Sequence, residues 1–387
     1  DYPARVIQRC RHHGISPWIT LRMNDVHENH NLEHPFHSEL WRKPGLFRKG
    51  HPGYYARALD YAHAEVRDHY RVLIVETLQR YDVDGLELDF MREPYLFSKG
   101  EEKAGGRILT QWLREIRQLV DEAAARRKHP VRLGVRVPSD PETARGLGLD
   151  APTWAKDGLV DLVVATPRWA TMHFDIPLAA WRQLLGDRVT LAGGLEVTCR
   201  PYPGAPRRVR DTEYAAAAAA SVLSGGGDVV YLFNHFQSGG WPDPGYRALL
   251  TAFSSLDKLR KLPRRHAVTY REVVVPGQAY RPPLPASGRA LSFNLPLGPA
   301  PAADWKANAI IEVAAGDIDG DAPAVSINGV VCNMHRNEAL PNGNRLLTYP
   351  VPLSALPGQH KDTIKVTAAG QHSIKVFRVE VRLHPGA

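Results

Sequence analysis

Two acidic residues in the first quarter of the chain are the strongest candidates for catalytic residues. Glu87 and Asp89 alternate with apolar residues in the stretch LELDF, at positions 86–90. Alternate side chains of a strand point to the same face, so both carboxylates should share one face. Burying two acids is costly without partners, and the ends of barrel strands are where parallel β/α barrels place catalysis. The pattern therefore predicts catalytic carboxylates, with an ion pair to a nearby arginine as the alternative.

Arginines recur at or just past the ends of four successive predicted strands. They are Arg22, Arg92, Arg136 and Arg168. A guanidinium group matches the geometry of carboxylate and sulfate groups, so four of them on one rim predict an anionic substrate, such as a uronic-acid or sulfated polysaccharide. The alternative is that these arginines neutralise the nearby acids, namely Asp25, Glu87, Asp89 and Glu196.

Further polar and aromatic residues follow the predicted strands and should line the same mouth. The candidates for substrate contact are Asn24, Asp25, His27, Trp169, Asn234 and Trp241. Aromatic side chains offer flat faces for sugar rings, and His27 is also a candidate general acid or base.

A histidine-rich loop leaves one alternative reaction open. His27, His30, His34 and His37 lie close together in sequence and could support a metal-dependent hydrolase or lyase. Their spacing matches no standard metal site, so the sequence predicts neither a metal nor a cofactor.

Strands and helices alternate over residues 1–262. The predicted strands cover 15–23, 83–90, 131–137, 159–166, 189–197 and 228–233. The predicted helices cover 4–14, 64–81, 108–125, 152–157, 178–185, 212–223 and 246–256. Alternation indicates a parallel sheet with right-handed crossovers. No G-x-G-x-x-G follows the first strand, which favours a (β/α)₈ TIM-type barrel over a dinucleotide-binding fold. A closed barrel needs eight strands, so we expect that this chain lacks the first two and carries strands 3 to 8.

Residues 263–387 show a different pattern. Short alternating segments at 268–275, 290–294, 309–313, 324–327, 364–366 and 373–383 are separated by turn residues. No helical period is visible there, which predicts an all-β, jelly-roll-like sandwich as an accessory domain.

Composition excludes several classes of protein. The 387 residues carry a net charge of +8 but show no nucleic-acid-binding signature, so no nucleic-acid partner is predicted. No apolar run approaches the roughly 18 residues of a membrane span, so no membrane partner is predicted. Three cysteines cannot form a disulfide framework. No signal peptide is visible, which leaves localisation open, with secreted or periplasmic placement compatible, and the oligomeric state is also open.

The segment around Asp89 resembles a known family. AEVRD at 64–68 and RYDVDGLELD at 80–89 are similar to the pattern PEVRDY…RYDVDGIHLD of glycosyl-hydrolase-like (β/α)₈ barrels. The similarity in order and spacing extends over about residues 1–258, and it implies that this strand is the fourth of the barrel. The strand also looks like the chitinase pattern DGxDxDxE, with Met91 at the last acid, and like the α-galactosidase pattern KxDxxR, with Glu87 in place of lysine.

The resemblance implies a glycoside hydrolase that cleaves a polysaccharide or oligosaccharide with two carboxylates. It makes strand 189–197 the seventh, the strand that carries the nucleophile in the large retaining clan of glycosidase barrels, and this points to Glu196. Either Asp89 is the acid/base and Glu196 the nucleophile, or Asp89 is the nucleophile and Glu196 the acid, while Glu87 would shift a neighbouring pKa by like-charge repulsion. A catalytically inert carbohydrate-binding barrel is the alternative.

Overall fold

The computed structural model describes residues 1–51, 53–236, 240, 244–317, 322–358, 362–369 and 372–386. They form two compact units. The first unit contains Asp1–Thr166, Ala180–Ala192 and Val273–Gln278, and the second contains Pro167–Ala179, Gly193–Glu272 and Ala279–Ala387. Among the described residues, no helix is both long and apolar enough to cross a membrane.

Helices and strands alternate through the first half of the chain. In chain order they are α1 (Tyr2–His12), β1 (Trp18–Arg22), α2 (Ala64–Arg80), β2 (Gly85–Asp89), α3 (Glu102–Arg127), β3 (Arg132–Pro138), α4 (Pro141–Gly146), α5 (Ala151–Lys156), β4 (Leu162–Thr166), α6 (Leu178–Leu185) and β5 (Thr190–Leu195). Short 3₁₀ turns at Glu39–Arg42, Pro44–Leu46 and Gly53–Tyr55 lie in the long segment between β1 and α2. These bounds lie close to those that the sequence pattern predicts.

Strands β1 to β4 pair in parallel in the order in which they occur along the chain. The register places Arg22 opposite Asp89, and Asp89 opposite Arg136. Side chains directly opposite one another in a sheet share a face, so these three residues form one row at the carboxyl ends of three neighbouring strands.

The same face has an apolar row at the other end of the strands. A Cβ atom added to Gly85 would lie 2.3 Å from Trp18 Cδ2, and one added to Gly134 would lie 3.0 Å from Trp18 Cζ3. The two glycines therefore leave room for the Trp18 indole across β2 and β3. Between this indole and the Asp89 row lies Glu87, opposite Thr20. Residues of β2 and β3 on the opposite face, such as Leu88 and Val135, are fully buried, as expected where helices cover a sheet.

The second half of the chain adds one further strand of this sheet and then changes character. Its elements are β6 (Thr198–Cys199), β7 (Arg208–Val209), α7 (Thr212–Ser224), β8 (Val229–Leu232), α8 (Gly245–Ala252), α9 (Leu256–Leu259), β9 (Arg264–Ala267), β10 (Ala286–Gly288), β11 (Ala290–Asn294), β12 (Trp305–Val313), β13 (Ala324–Ile327), β14 (Val330–Cys332), β15 (Arg336–Ala339), β16 (Arg345–Val351), β17 (Thr363–Thr367) and β18 (Ile374–Pro385).

The β/α sheet has the strand order β1-β2-β3-β4-β5-β8, with a strand at each predicted position. The coarser part of the prediction, a parallel β/α sheet, is therefore confirmed, and the sheet curls into a half-barrel. A closed eight-stranded barrel is not seen among the described residues.

The strand-rich region predicted at the end of the chain is also present. It contains two antiparallel sheets, one in the order β10-β18-β12-β16-β15 with β9 beside β18, and one in the order β11-β17-β13-β14. The strand expected at 268–275 does not form. Val268 N still donates to Val379 O, but Arg271 N donates to the Tyr280 hydroxyl, so a side chain replaces the next strand as partner.

Candidate active site

Asp89, at the end of strand β2, has a buried carboxylate that three donors hold. Its Oδ2 lies 2.7 Å from Arg136 Nη1, and both side chains are only 1% exposed. Its Oδ1 accepts the backbone N–H groups of Met91 at 2.9 Å and Arg92 at 3.1 Å, as the chain turns back after β2. All three contacts bring a donor to the carboxylate and fix its orientation.

Glu87 lies one step deeper on the same face. It is buried, and its Oε1 accepts the hydroxyl proton of Thr20 at 3.2 Å. Because Glu87 is two residues before the strand end, it lies further from the mouth than Asp89 does. The alternation in LELDF thus predicts correctly that the two carboxylates share a face.

A more exposed cluster follows β1. Arg22 Nη1 lies 3.0 Å from Asp25 Oδ2, with the arginine side chain 49% exposed. The Asp25 carboxylate also contacts the His27 ring and accepts the His27 backbone N–H at 3.1 Å, while Arg92 Nη2 contacts the same ring. Burial raises the pKa of Asp25, but the hydrogen bonds from the His27 backbone, Arg22 and the His27 ring outweigh it and lower the pKa below its usual value.

Asn24 is buried, unlike Asp25 and His27, which the sequence predicts beside it at the mouth. It is fully buried, its Nδ2 donates to Leu59 O at 2.9 Å, and its Oδ1 accepts Leu59 N at 3.2 Å. These two bonds use the amide to hold the segment around Leu59 beside the end of β1.

The histidines of the loop at 27–37 make separate contacts with different neighbours. His37 Nε2 lies 2.9 Å from His27 O, and the His37 ring stacks on Trp41 at 5.0 Å. His30 pairs with Glu28 at 3.3 Å. In the part of the chain that the structure describes, no three His, Cys, Asp or Glu residues gather where they could hold a metal ion.

A further carboxylate, which the sequence argument missed, follows four residues after Asp89. Glu93 is fully buried, and its Oε1 accepts the Tyr54 hydroxyl proton at 3.1 Å. Arg48 lies over the ring of Tyr95 at 5.2 Å, and burial lowers its pKa to about 10 although charges including that of Glu93 oppose this shift. Only the packing of side chains brings these aromatic rings close to the buried acid, so no local sequence pattern predicts the cluster.

In the second unit, Arg168 is bound to an acid that the sequence argument also missed. Its Nη1 lies 3.1 Å from Glu272 Oε1, and Glu272 Oε2 accepts the backbone N–H groups of Trp169 at 3.2 Å and Ala170 at 2.8 Å. The guanidinium group lies 5.4 Å from the centre of the Trp169 ring, which is 41% exposed. No local pattern distinguishes Glu272, because its partner Arg168 lies 104 residues away in the sequence.

Glu196 follows directly after the last residue of β5 and is buried. Burial lowers the pKa of the neighbouring His235 to about 4, while a hydrogen bond to the Glu196 backbone opposes the shift. Asn234 is exposed and has a positive φ of 58°. Trp241 lies outside the described residues.

No protein-family model matches this chain. No curated protein matches it either.

Several solved structures are similar to this chain. One is a cycloisomaltooligosaccharide glucanotransferase from Paenibacillus sp., with 7% identity, 97% of this chain and 47% of that one covered, and a TM-score of 0.34. The glycoside hydrolase domain of PelA from Pseudomonas aeruginosa is 17% identical in sequence, and the match covers 59% of this chain and 83% of that domain with a TM-score of 0.39. The endo-beta-1,4-mannanase from Thermotoga petrophila is 11% identical in sequence, and the match covers 96% of this chain and 80% of the mannanase with a TM-score of 0.42. This chain thus spans about half the length of the glucanotransferase.

Proposed function

We propose that this chain is a glycoside hydrolase acting on a polysaccharide or oligosaccharide. The observation that carries the proposal is the buried Asp89 carboxylate, held by Arg136 and two backbone amides at the carboxyl end of an inner parallel strand. Parallel β/α folds place their catalytic groups at this end of the strands. Together with the resemblance of residues 64–89 to glycosyl-hydrolase-like barrels, this favours carbohydrate chemistry.

Between the two roles left open for Asp89, its contacts favour the nucleophile. A carboxylate has about four lone-pair positions for acceptor bonds, and three donors already contact Asp89. Both backbone donors go to Oδ1, so the position that is left lies on Oδ2, beside Arg136, and we propose that this lone pair attacks the anomeric carbon. Arg136 fixes the orientation of the carboxylate for that attack.

Glu196 is, on the sequence argument, the proposed general acid that protonates the leaving oxygen. In a two-carboxylate reaction with retention, the nucleophile forms a glycosyl-enzyme intermediate and water then hydrolyses it, with the acid acting as base. Glu87 is proposed to act through Asp89 by repulsion between like charges. Trp169, Asn234, Trp241 and His27 remain proposed substrate contacts, and 1–262 and 263–387 remain the proposed catalytic and β-sandwich domains.

An anionic substrate is a finer proposal that rests mainly on Arg22 and Arg92. Arg136 pairs with Asp89 and Arg22 with Asp25, as the neutralisation alternative predicts, while Arg168 pairs with Glu272, an acid outside that alternative. Arg22 is half exposed although it pairs with Asp25, and Arg92 contacts the His27 ring of the same cluster. We propose that the exposed part of Arg22 in this cluster meets a carboxylate or sulfate group of the substrate.

The test is hydrolysis of neutral, uronic and sulfated glycans by the wild-type chain and by Asp89→Asn. We expect reducing-end release by the wild type and a loss of at least about 10²-fold in the variant. Asp157→Asn is the matched control, because it also changes a paired aspartate, at 2.7 Å from Arg114, but on the surface. Wild-type rates in Asp89→Asn would refute the assignment, and sugar binding without any hydrolysis would favour the inert carbohydrate-binding barrel.

A further inference from the structure

The second unit contains a small polar cavity that the proposed reaction does not use. Its volume is about 140 Å³. Its floor is formed by buried Tyr214, Glu312 and Glu380, while Pro206 and Asn342 at its rim are exposed. A site with a buried polar floor and an open rim is shaped to receive a small molecule from solvent.

Glu380 has one oxygen without a hydrogen bond. Its Oε1 accepts the Tyr214 hydroxyl proton at 2.7 Å. Its Oε2 receives no hydrogen bond from any residue within the described ranges, and Arg265 Nη1 lies 3.7 Å away, beyond hydrogen-bond distance. The Glu380 side chain is only 4% exposed. A buried acceptor of this kind costs free energy until a donor reaches it.

The other acid on the floor already receives three donors, which reach both of its oxygens. Glu312 Oε1 accepts Nδ2 of Asn342 at 3.2 Å and of Asn344 at 2.8 Å, and its Oε2 lies 2.7 Å from Arg378 Nη2. Arg378 Nε also lies 4.0 Å from Glu380 Oε1. Both oxygens of Glu312 are thus engaged, whereas Glu380 Oε2 receives no hydrogen bond from the described residues and is the acceptor that we assign to a ligand.

The charges that line the cavity balance. Glu312 and Glu380 are matched by Arg378 and Arg208, and Arg208 lies 5.9 Å from the centre of the Tyr214 ring. Tyr202, half buried at the same cavity, adds an aromatic face. A balanced lining with one acceptor, one further guanidinium donor and an aromatic ring suits a neutral polyhydroxyl molecule better than an ion.

The size of the cavity limits the ligand. Its 140 Å³ is below the roughly 300–1,000 Å³ of pockets for drug-sized ligands and about ten times the ~10–15 Å³ that one water molecule needs. We propose that this cavity binds a single neutral sugar residue. One hydroxyl group donates to Glu380 Oε2, Arg208 donates to another, and the ring lies against Tyr202. The proposal adds a non-catalytic sugar site to the hydrolase proposed above and shares no residue with it.

The test is calorimetric titration with methyl glucoside, methyl galactoside, methyl N-acetylglucosaminide and glucuronate. We expect the wild type to bind at least one neutral glycoside. Glu380→Gln should weaken binding at least tenfold, because it replaces the acceptor by a donor. Tyr202→Ala should weaken it similarly, whereas Tyr202→Phe, which keeps the ring, should bind nearly as the wild type does. Glu338→Gln, on the exposed strand β15, is the matched control for the loss of a carboxylate.

Several outcomes would overturn the proposal. They are no binding of any neutral glycoside at millimolar concentration, tighter binding of glucuronate than of every neutral glycoside, or equal binding by wild type, Glu380→Gln and Tyr202→Ala. Asp89→Asn should bind as the wild type does. If that variant loses binding, the glycoside is held at the proposed catalytic site instead, so failure of this proposal and failure of the proposed function give different results.

Discussion

Asp89 and Arg136 illustrate how much a buried ion pair depends on both partners. With each side chain 1% exposed, neither charge can regain water if its partner is removed. We expect Arg136→Met to lower the free energy of unfolding by about 3–5 kcal/mol, because it leaves Asp89 as an uncompensated buried charge. Urea unfolding followed by circular dichroism measures this difference.

The matched control is Arg114→Met, which removes a surface ion pair with Asp157. That pair should contribute only about 0–1 kcal/mol. The double variant Asp89→Leu, Arg136→Met should recover part of the loss, since replacing a whole buried pair by apolar residues is often close to neutral. A loss for Arg136→Met no larger than for Arg114→Met would contradict the prediction.

The sequence could locate Asp89 but not the partners of every charged residue. Strict alternation in LELDF places Glu87 and Asp89 on one face, and this pattern is local. The pairing of Arg136 with Asp89 follows from the register between strands, and it is the ion pair that the alternative interpretation of these acids predicts. Glu93 and Glu272 were missed because no local pattern distinguishes them, and their partners Tyr54 and Arg168 come from 39 and 104 residues away in the sequence.

At the scale of an element, helix α7 owes its alanine-rich sequence to the elements packed around it. Its six consecutive alanines, at 215–220, are all buried. The helix packs against β8, β9, α8 and α9, so it has neighbours on several sides rather than one apolar stripe. Small side chains let these elements approach closely.

We expect Ala217→Leu to destabilise the protein by about 1–3 kcal/mol, because a larger side chain must be forced into a packed core. Ala125→Leu, at an exposed position of α3, is the control and should change stability by less than about 0.5 kcal/mol. Thermal and urea unfolding of both variants give the comparison. Equal stability of the two variants would show that α7 has spare space on one side.

Elements with a strong local pattern are predicted well, and those without one are not. The buried parallel strands are short apolar runs, so their positions follow from composition and spacing. Strand β15 has the sequence RNEA and is mostly exposed, so it offers no alternation to read. The segment 268–275 has the opposite problem, since it alternates like a strand but finds side-chain partners such as Tyr280.

At the scale of the whole molecule, the net charge of +8 attracts any polyanion without a specific site. Such attraction is screened, since the Debye length falls from about 10 Å at 0.1 M salt to about 3 Å at 1 M. We therefore expect a heparin column to retain the protein and to release it before 1 M sodium chloride. Asp89→Asn should elute at nearly the same salt concentration as the wild type, because it changes the net charge by only one unit.

Two arginine variants separate this diffuse attraction from recognition at the mouth. Arg22→Gln and Arg114→Gln each remove one positive charge from a partly exposed ion pair, but only Arg22 belongs to the cluster with Asp25 and His27. If the substrate is anionic, Arg22→Gln should raise KM for a uronic oligosaccharide at 0.15 M salt several-fold more than Arg114→Gln does, with little change for a neutral one. Equal KM values for the two variants would assign the preference for polyanions to net charge alone, because the two substitutions alter that charge identically.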